Sequence, residues 1–392
     1  MRSPRPLLFA VSTGLVAILL AGGLAVRVGA ADNSFNTVVT FSEILSLVSE
    51  NYVDPVDAAE LLTGAYEGML SGLDPNGAFL TPAEVAEWKG PPPGPADPGF
   101  SVLKAGRALQ VVAVEDGSAA AAAGVQVGDH VRAIDGRPMA DLSLTQALRL
   151  LSGAVNSTVR IELIHTTDGF RREAIELPRS VRGGVPYRLE AVGGHAVLRV
   201  LDLERVPAAE LGERLEALRS SGSESLLIDL RNLADPRTRD VVPLAGLFAG
   251  GTLLRLRERG GRLVETLEGE AEAGAWTGKL AVLVNGATAG SAEALASLLQ
   301  AERGVPVLGE PTYGLGAEVK LYELEDGSGL LVSAALWETA SGKRWNGDGV
   351  KPDEVVRGRG DDYAAAAADQ LRQALDSLDR RARAAEEPDD AV

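Results

Sequence analysis

The sequence predicts a multidomain α/β protein: an apolar N-terminal segment, a helical segment, a β-rich unit, and a βαβ core followed by a C-terminal helix. Three observations carry this. Gly90-Pro91-Pro92-Pro93-Gly94-Pro95 is too stiff and too poor in N–H donors to join a sheet, so it reads as a linker between helical and strand periodicity. Between Phe100 and Arg179 short apolar runs alternate with turns. From Ala196 onward apolar strands alternate with amphipathic helices, the rhythm of βαβ units. At 392 residues the chain has room for roughly two or three domains.

Charge and composition remove several function classes. Lys plus Arg is 38 against 55 Asp plus Glu, a net charge of -17 that repels nucleic-acid phosphates and acidic lipid surfaces. There is no Cys, so disulfides, thiolate metal sites and a Cys nucleophile are out. The three histidines, His130, His165 and His195, lie far apart with no metal-ligand spacing, and read as ordinary strand or surface residues. No cofactor or metal is indicated.

The elements follow in order. Residues 1–30 carry Arg2 and Arg5 ahead of an uncharged run from Leu7 to Val26, long enough to cross a bilayer. This is an export signal, and its length favours an uncleaved anchor over a cleaved peptide ending at Val28-Gly29-Ala30. The main domains are then expected on the outer side of a bacterial cell envelope, or secreted if the signal is cut. Residues 31–89 read as helical, with Phe41, Ile44, Leu45 and Val48 on one face and Leu61, Leu62, Ala65 and Met69 on another. Leu73-Asp74-Pro75-Asn76-Gly77 is a turn, and Thr81-Pro82-Ala83-Glu84 is a capped helix start. After the linker at 90–98, the unit at 99–180 has strands at Leu109–Val114, Val131–Ile134 and Val159–Ile164, with a helix at Leu144–Leu151. The core at 181–358 has strands at Ala196–Val200, Leu226–Leu230 and Leu280–Val284, a helix at Pro207–Arg219 and another near Val241–Phe248. Residues 359–392 form an Ala-rich helix and an acidic tail, Glu386-Glu387-Pro388-Asp389-Asp390.

Within the β-rich unit, small residues from Gly117 to Gly124 lead through Gly128-Asp129 to the strand Val131–Ile134 and the turn Asp135-Gly136. This order resembles a PDZ domain. The resemblance implies an extended peptide added as a strand to a sheet edge, its carboxylate held by backbone N–H groups of a loop. By position that loop is Phe100-Ser101-Val102-Leu103, with Ser101 where a Gly is usual. The alternative is a domain that packs internally and binds nothing.

Across nearly all of the exported chain a second resemblance appears. Asn51-Tyr52-Val53-Asp54, Leu73-Asp74-Pro75, Asp229-Leu230-Arg231-Asn232, Val284-Asn285-Gly286, Leu308 to Gly314 and Gly349-Val350-Lys351-Pro352-Asp353 resemble, in order and separation, the motifs of the S41 carboxyl-terminal processing peptidases. Those enzymes use a Ser-Lys pair, and the resemblance implies here a helical segment, a PDZ-like domain and an S41-type βαβ core with a C-terminal helix, behind the N-terminal membrane or signal segment read above. The family's nucleophile lies in a V-N-x-x-[ST]-A-S-A-S-E loop; Val284, Asn285, Thr288, Ala289 and Glu293 match it, and the nucleophile position falls on Gly290. The Lys of the T-[FY]-G-K-G loop falls on Leu315, and the Gln that orients it falls on Val319. The oxyanion-hole turn falls on Asp235 and Pro236, a carboxylate that opposes developing negative charge and a residue without an N–H.

The resemblance therefore implies an S41 homologue without catalytic power, binding extended peptides or protein C-termini through its PDZ-like domain as scaffold or regulator. A different class is an active serine peptidase using Ser291 in a shifted geometry, with Glu318 or Lys320 as the nearby polar groups. The plain reading of Ser291 is as cap of the helix that follows, with Glu293 supporting the first turn. A third class is a structural subunit, assembling with an active relative or with itself through the N-terminal helices and the C-terminal helix. The apolar C-terminal Val392 resembles a PDZ ligand and suggests self-association or autoinhibition.

Overall fold

The computed structural model describes residues 36–386 apart from 167–168, 224, 271–275, 277 and 361. The expected anchor at 1–30 and the tail beyond 386 lie outside the described residues. No helix among the described residues is long and apolar enough to cross a membrane. The chain divides into two compact units, residues 1–68 and 69–392.

The described part of the first unit holds helix α1 at 36–51 and most of helix α2, Ala58–Ser71. The apolar face predicted on α1 forms, but Phe41, Ile44 and Val48 are exposed. On α2 the expected Met69 is exposed, and Leu70 is the buried residue.

The second unit opens with the predicted turn, where Asp74 Oδ1 accepts from the N–H of Asn76 and of Gly77. Strand β1, Ala78–Leu80, follows, and then helix α3, Pro82–Lys89, whose capping box pairs Thr81 with Glu84. The Pro/Gly stretch runs against the β-rich unit: Ala96 bridges Gly153 and Asp97 bridges Ser180. That unit comprises β2 Phe100–Ala105, β3 Ala108–Val114, α4 Ala119–Ala122, β4 His130–Ile134, β5 Arg137–Pro138, α5 Leu144–Leu151, β6 Thr158–His165 and β7 Arg171–Pro178. Its sheet order is β2-β3-β4-β6-β7, all antiparallel, with β5 paired to β4.

One expectation is corrected here. Phe100-Ser101-Val102-Leu103 is not a loop but the start of edge strand β2, with Phe100 opposite Val114 and Ser101 opposite Ala113. Phe100, Val102 and Leu103 are buried in the unit's apolar core, which is what holds the segment extended. The loop ahead of β2 is Asp97-Pro98-Gly99, where Asp97 Oδ1 accepts from Gly99 N–H at 2.7 Å.

The core is built on a six-stranded sheet. Its elements are β8 Tyr187–Val192, β9 His195–Val200, α6 Ala208–Ser220, β10 Ser225–Asp229, the two-residue β11 Ala234–Asp235, a 3₁₀ turn Thr238–Val241, α7 Val242–Gly246, β12 Gly251–Glu258, β13 Leu263–Gly269, β14 Lys279–Val284, β15 Ala289–Gly290, α8 Ser291–Arg303, β16 Val307–Gly309, β17 Ala317–Glu323, β18 Gly329–Thr339, β19 Glu354–Val355 and α9 Tyr363–Glu386. The order β19-β16-β14-β10-β9-β8 is parallel except for the hairpin β8-β9. A second sheet, β1-β18-β12-β13 with β17 beside β18, is antiparallel. Strands β10 and β14 are apolar along most of their length because the sheet is covered on both faces. One face meets α6, α7 and α8; the other, through Val197, Leu227, Ala281, Leu283 and Leu308, meets Ala374, Leu375 and Leu378 of α9.

That second face is thin, so its contacts are individually heavy. Leu378→Ala is expected to lower unfolding stability by about 2 to 4 kcal/mol through lost transfer energy and the residual cavity, read as a fall in the urea midpoint at unchanged slope.

Candidate functional site

The loops at the carboxyl ends of β10, β14 and β16 carry three of the core motifs singled out in the sequence, the usual place for sites on such sheets, and Gly349-Val350-Lys351-Pro352-Asp353 leads into β19. After β10, Asp229 is fully buried and receives Arg231 as a fork, Nε to Oδ1 at 2.9 Å and Nη2 to Oδ2 at 2.8 Å, with Arg199 Nη1 at 2.7 Å. Burial opposes the charge, yet these two guanidiniums hold the Asp229 carboxyl below its ordinary value. Arg231 also donates to Ala367 O and Gln370 Oε1 of α9, which ties the helix to the motif.

Asn232 sits in the left-handed region at φ 64°, a conformation Asn tolerates. It exchanges bonds with Asn285: Asn232 N–H donates to Asn285 Oδ1 at 3.1 Å, and Asn285 Nδ2 to Asn232 Oδ1 at 2.6 Å. Thr288 Oγ1 donates to Leu230 O at 3.0 Å and accepts from Asn285 N–H. The matching V-N-x-x-T residues are thus a buried clamp between two strand ends.

Gly290 follows with φ 65° and ψ −116°, at a strand–turn–helix elbow. Next to it, β11 pairs in parallel with β15, Asp235 opposite Gly290. A Cβ at 290 would stand 1.8 Å from Asp235 O, so both the backbone angle and the neighbouring strand demand glycine. Asp235 turns its carboxylate to Arg237, whose N–H and Nε donate to Oδ1 at 3.0 and 3.1 Å. Asp240 is pushed up to about 6 by its burial and by the facing Asp235, with Arg237 pulling the other way.

Ser291 is the first residue of α8 and fully buried, and its Oγ has no hydrogen-bond partner among the described residues. The expected capping role is corrected: Gly290 is the N-cap, and the side chain that reaches back is Glu293, accepting from Gly290 N–H at 2.9 Å. Neither polar neighbour named for Ser291 serves it. Glu318 takes Arg239 and the indole N–H of Trp337, and Lys320 lies over the Tyr322 ring.

Glu293 does far more than support a helix turn. Its Oε1 accepts from Gly314 N–H at 2.6 Å and from Thr312 Oγ1, and its Oε2 from Leu315 N–H at 2.7 Å as well as from Gly290. Burial raises its carboxyl, opposed by these donors. The Thr312–Gly316 loop is therefore fastened to the start of α8 through one carboxylate. Leu315 itself is buried, in one apolar cluster with Ala289 and with Phe100, Val102 and Leu103 of β2. Val319 belongs elsewhere, packed on the cluster of Ala78, Leu80, Val85 and Leu331. Positions 290 and 315 thus come together, and 319 does not join them.

A cleft of about 310 Å³ opens beside this centre, lined among others by Gly99, Phe100, Ser101, Arg182, Arg205 and Leu233. Arg182 donates to Asp97 at 2.9 Å and to Ser101 Oγ at 3.4 Å. Of the expected peptide-binding residues, Ser101 presents its side chain here, while those of Val102 and Leu103 point into the core.

A family model for peptidase family S41 matches residues 195–356, and a PDZ domain model matches residues 110–164. The chain belongs to peptidase family S41. It is 31% identical over 284 residues to a carboxyl-terminal-processing protease of Picosynechococcus sp., covering 69% of this chain and 66% of that protein. It is 23% identical over 364 residues to a carboxy-terminal-processing protease of Bartonella bacilliformis, covering 89% and 81%. The chain spans 81% of the Bartonella protein's length and 50% of that of a chloroplastic carboxyl-terminal-processing peptidase of Arabidopsis thaliana. Its fold is shared with the photosystem II D1 C-terminal processing protease, at a TM-score of 0.58 and 23% identity over 81% of this chain and 92% of that one.

The roles of Glu293 and of the Asn232–Asn285 pair were not assigned from sequence; a lone carboxylate three residues past a helix start signals a cap and nothing about the loop it holds. Glu293→Ala leaves the N–H groups of Gly290, Gly314 and Leu315 without their acceptor and is expected to cost about 3 kcal/mol or more in denaturant unfolding. Asp240 gives a pH test. Because its folded-state value of about 6 lies above the ordinary 3.8, it binds its proton more readily when folded. Its contribution is full below pH 3.8 and is lost as pH rises through 6. Asp240→Asn should therefore raise Tm relative to the parent above pH 6, with the gain closing below pH 3.8.

Proposed function

We propose that this chain is an S41 homologue without peptidase activity that holds extended peptides or protein C-termini on its PDZ domain, as a scaffold or regulator at a bacterial envelope. The observation that carries the reading is Gly290. The position where the resemblance puts the nucleophile has neither a side chain nor the space for one, with Asp235 O 1.8 Å from where a Cβ would stand. Supporting it, Leu315 supplies no base, and Asp235-Pro236 supplies a carboxylate and a residue without N–H where transition-state charge needs donors. The relatives named above are proteases by name, so the family's chemistry is the background against which these replacements count.

Peptide binding is supported by the PDZ match and by strand β2 at a sheet edge, the geometry of strand addition. Anchoring is supported by the run Leu7–Val26 behind Arg2 and Arg5. The competing reading, catalysis by Ser291, needs a base within hydrogen-bond reach, and its buried Oγ has none among the described residues.

The test is turnover of casein and of apolar-ended peptides by the purified protein beside its Ser291→Ala variant. Equal, background rates are expected; hydrolysis abolished by the substitution refutes the proposal. A second outcome concerns reversal. The triple variant Gly290→Ser, Leu315→Lys, Val319→Gln is expected to remain without hydrolysis and to lose stability, because the serine collides with β11; cleavage by that variant would show that the lost groups alone account for the silence.

A further inference from the structure

Positions 290 and 315 do more than lack chemistry; their N–H groups share one acceptor, Glu293 Oε2, and each packs against a neighbour. At 290 the missing side chain lets β11 lie directly against β15, Asp235 opposite Gly290, and Ala289 N–H donates to Leu233 O at 2.9 Å. At 315 a leucine is buried in the apolar core of the PDZ domain, where a lysine ammonium would be desolvated. Two polar bonds flank this contact. Tyr313 Oη donates to Lys104 O of β2 at 2.9 Å, and Asn232 Nδ2 to Val112 O of β3 at 2.6 Å. Burial lifts the Tyr313 phenol to about 12, so it remains a donor throughout the neutral range. Both donors come from the motif loops and both acceptors from the PDZ sheet.

We infer that the former catalytic positions have become a fixed joint: Leu315 and Ala289 are the apolar plug, Tyr313 and Asn232 the flanking bonds, and together they keep the PDZ domain docked on the core. Glycine at 290 lets β11 close, and leucine at 315 makes the closed contact apolar. A peptide held on this PDZ domain is then presented on a rigid body and is not passed into the core. The inference uses the same replacements as the proposed function but a different readout, so the two can fail separately.

The experiment is amide hydrogen exchange on the full chain. Leu315→Lys is expected to speed exchange in residues 100–105 and 231–235 by about tenfold or more, the local opening of a lost docking contact, while β6 inside the PDZ domain and the interior of α8 keep their rates. Leu315→Met, which conserves volume, should match the parent. Tyr313→Phe removes one flanking bond and should speed the same two segments by about threefold. Should Leu315→Lys unfold the whole chain, Tyr313→Phe decides alone. Unchanged rates in both segments for Leu315→Lys, or for Tyr313→Phe where it decides, overturn the joint. Casein hydrolysis by the parent would refute the proposed function and leave these rates as they are.

Discussion

One buried carboxylate organises the centre of this molecule. Glu293 gathers four donors from two separate stretches of chain, the start of α8 and the Thr312–Gly316 loop, at a depth where none of them meets water. Without an acceptor there, two loops would each carry buried N–H groups at a cost of about 1 to 3 kcal/mol apiece. With it, the start of α8 is fixed, Thr312 is turned to accept from Val350 N–H, and Leu315 is placed where it plugs the PDZ core. The docking of the two domains is downstream of that single residue.

The polar clamps around it share a logic. Asp229 with Arg199 and Arg231, and Asn232 with Asn285, are buried and half-buried groups whose donors and acceptors are matched side by side. Such networks fix loop geometry more than they add net stability. Here they hold the ends of β10 and β14 in one fixed arrangement beside Gly290.

Much of this was legible in the sequence where the signal is local. The capping box at Thr81-Pro82-Ala83-Glu84 and the apolar runs of β10 and β14 follow from period, propensity and turn chemistry, while the motif loops come from the family resemblance. Phe100–Leu103 misled because the PDZ resemblance puts a carboxylate-holding loop there by position, and only the pairing with β3 makes the segment a strand. β1 was not visible at all, since three residues carry no period and its partner, β18, lies some 250 residues away. At the site, the replacements at 290 and 315 could be read by position. Their shared acceptor, Glu293 Oε2, could not, nor the ring of His195 set between Ser225 Oγ at 2.5 Å and Asp379 at 3.3 Å, because each joins residues remote in sequence.

Helix α9 packs on one face of the parallel sheet, and it follows every strand of that sheet in the chain. During synthesis Val197, Leu227, Leu283 and Leu308 therefore all emerge before the residues that will shield them. The sheet stays sticky on one side until α9 is free of the ribosome, and long-range closure of this kind is slow. The order of elements thus makes the nascent chain a natural client for whatever holds unfolded proteins, and it sets completion of α9 as the event that ends that dependence.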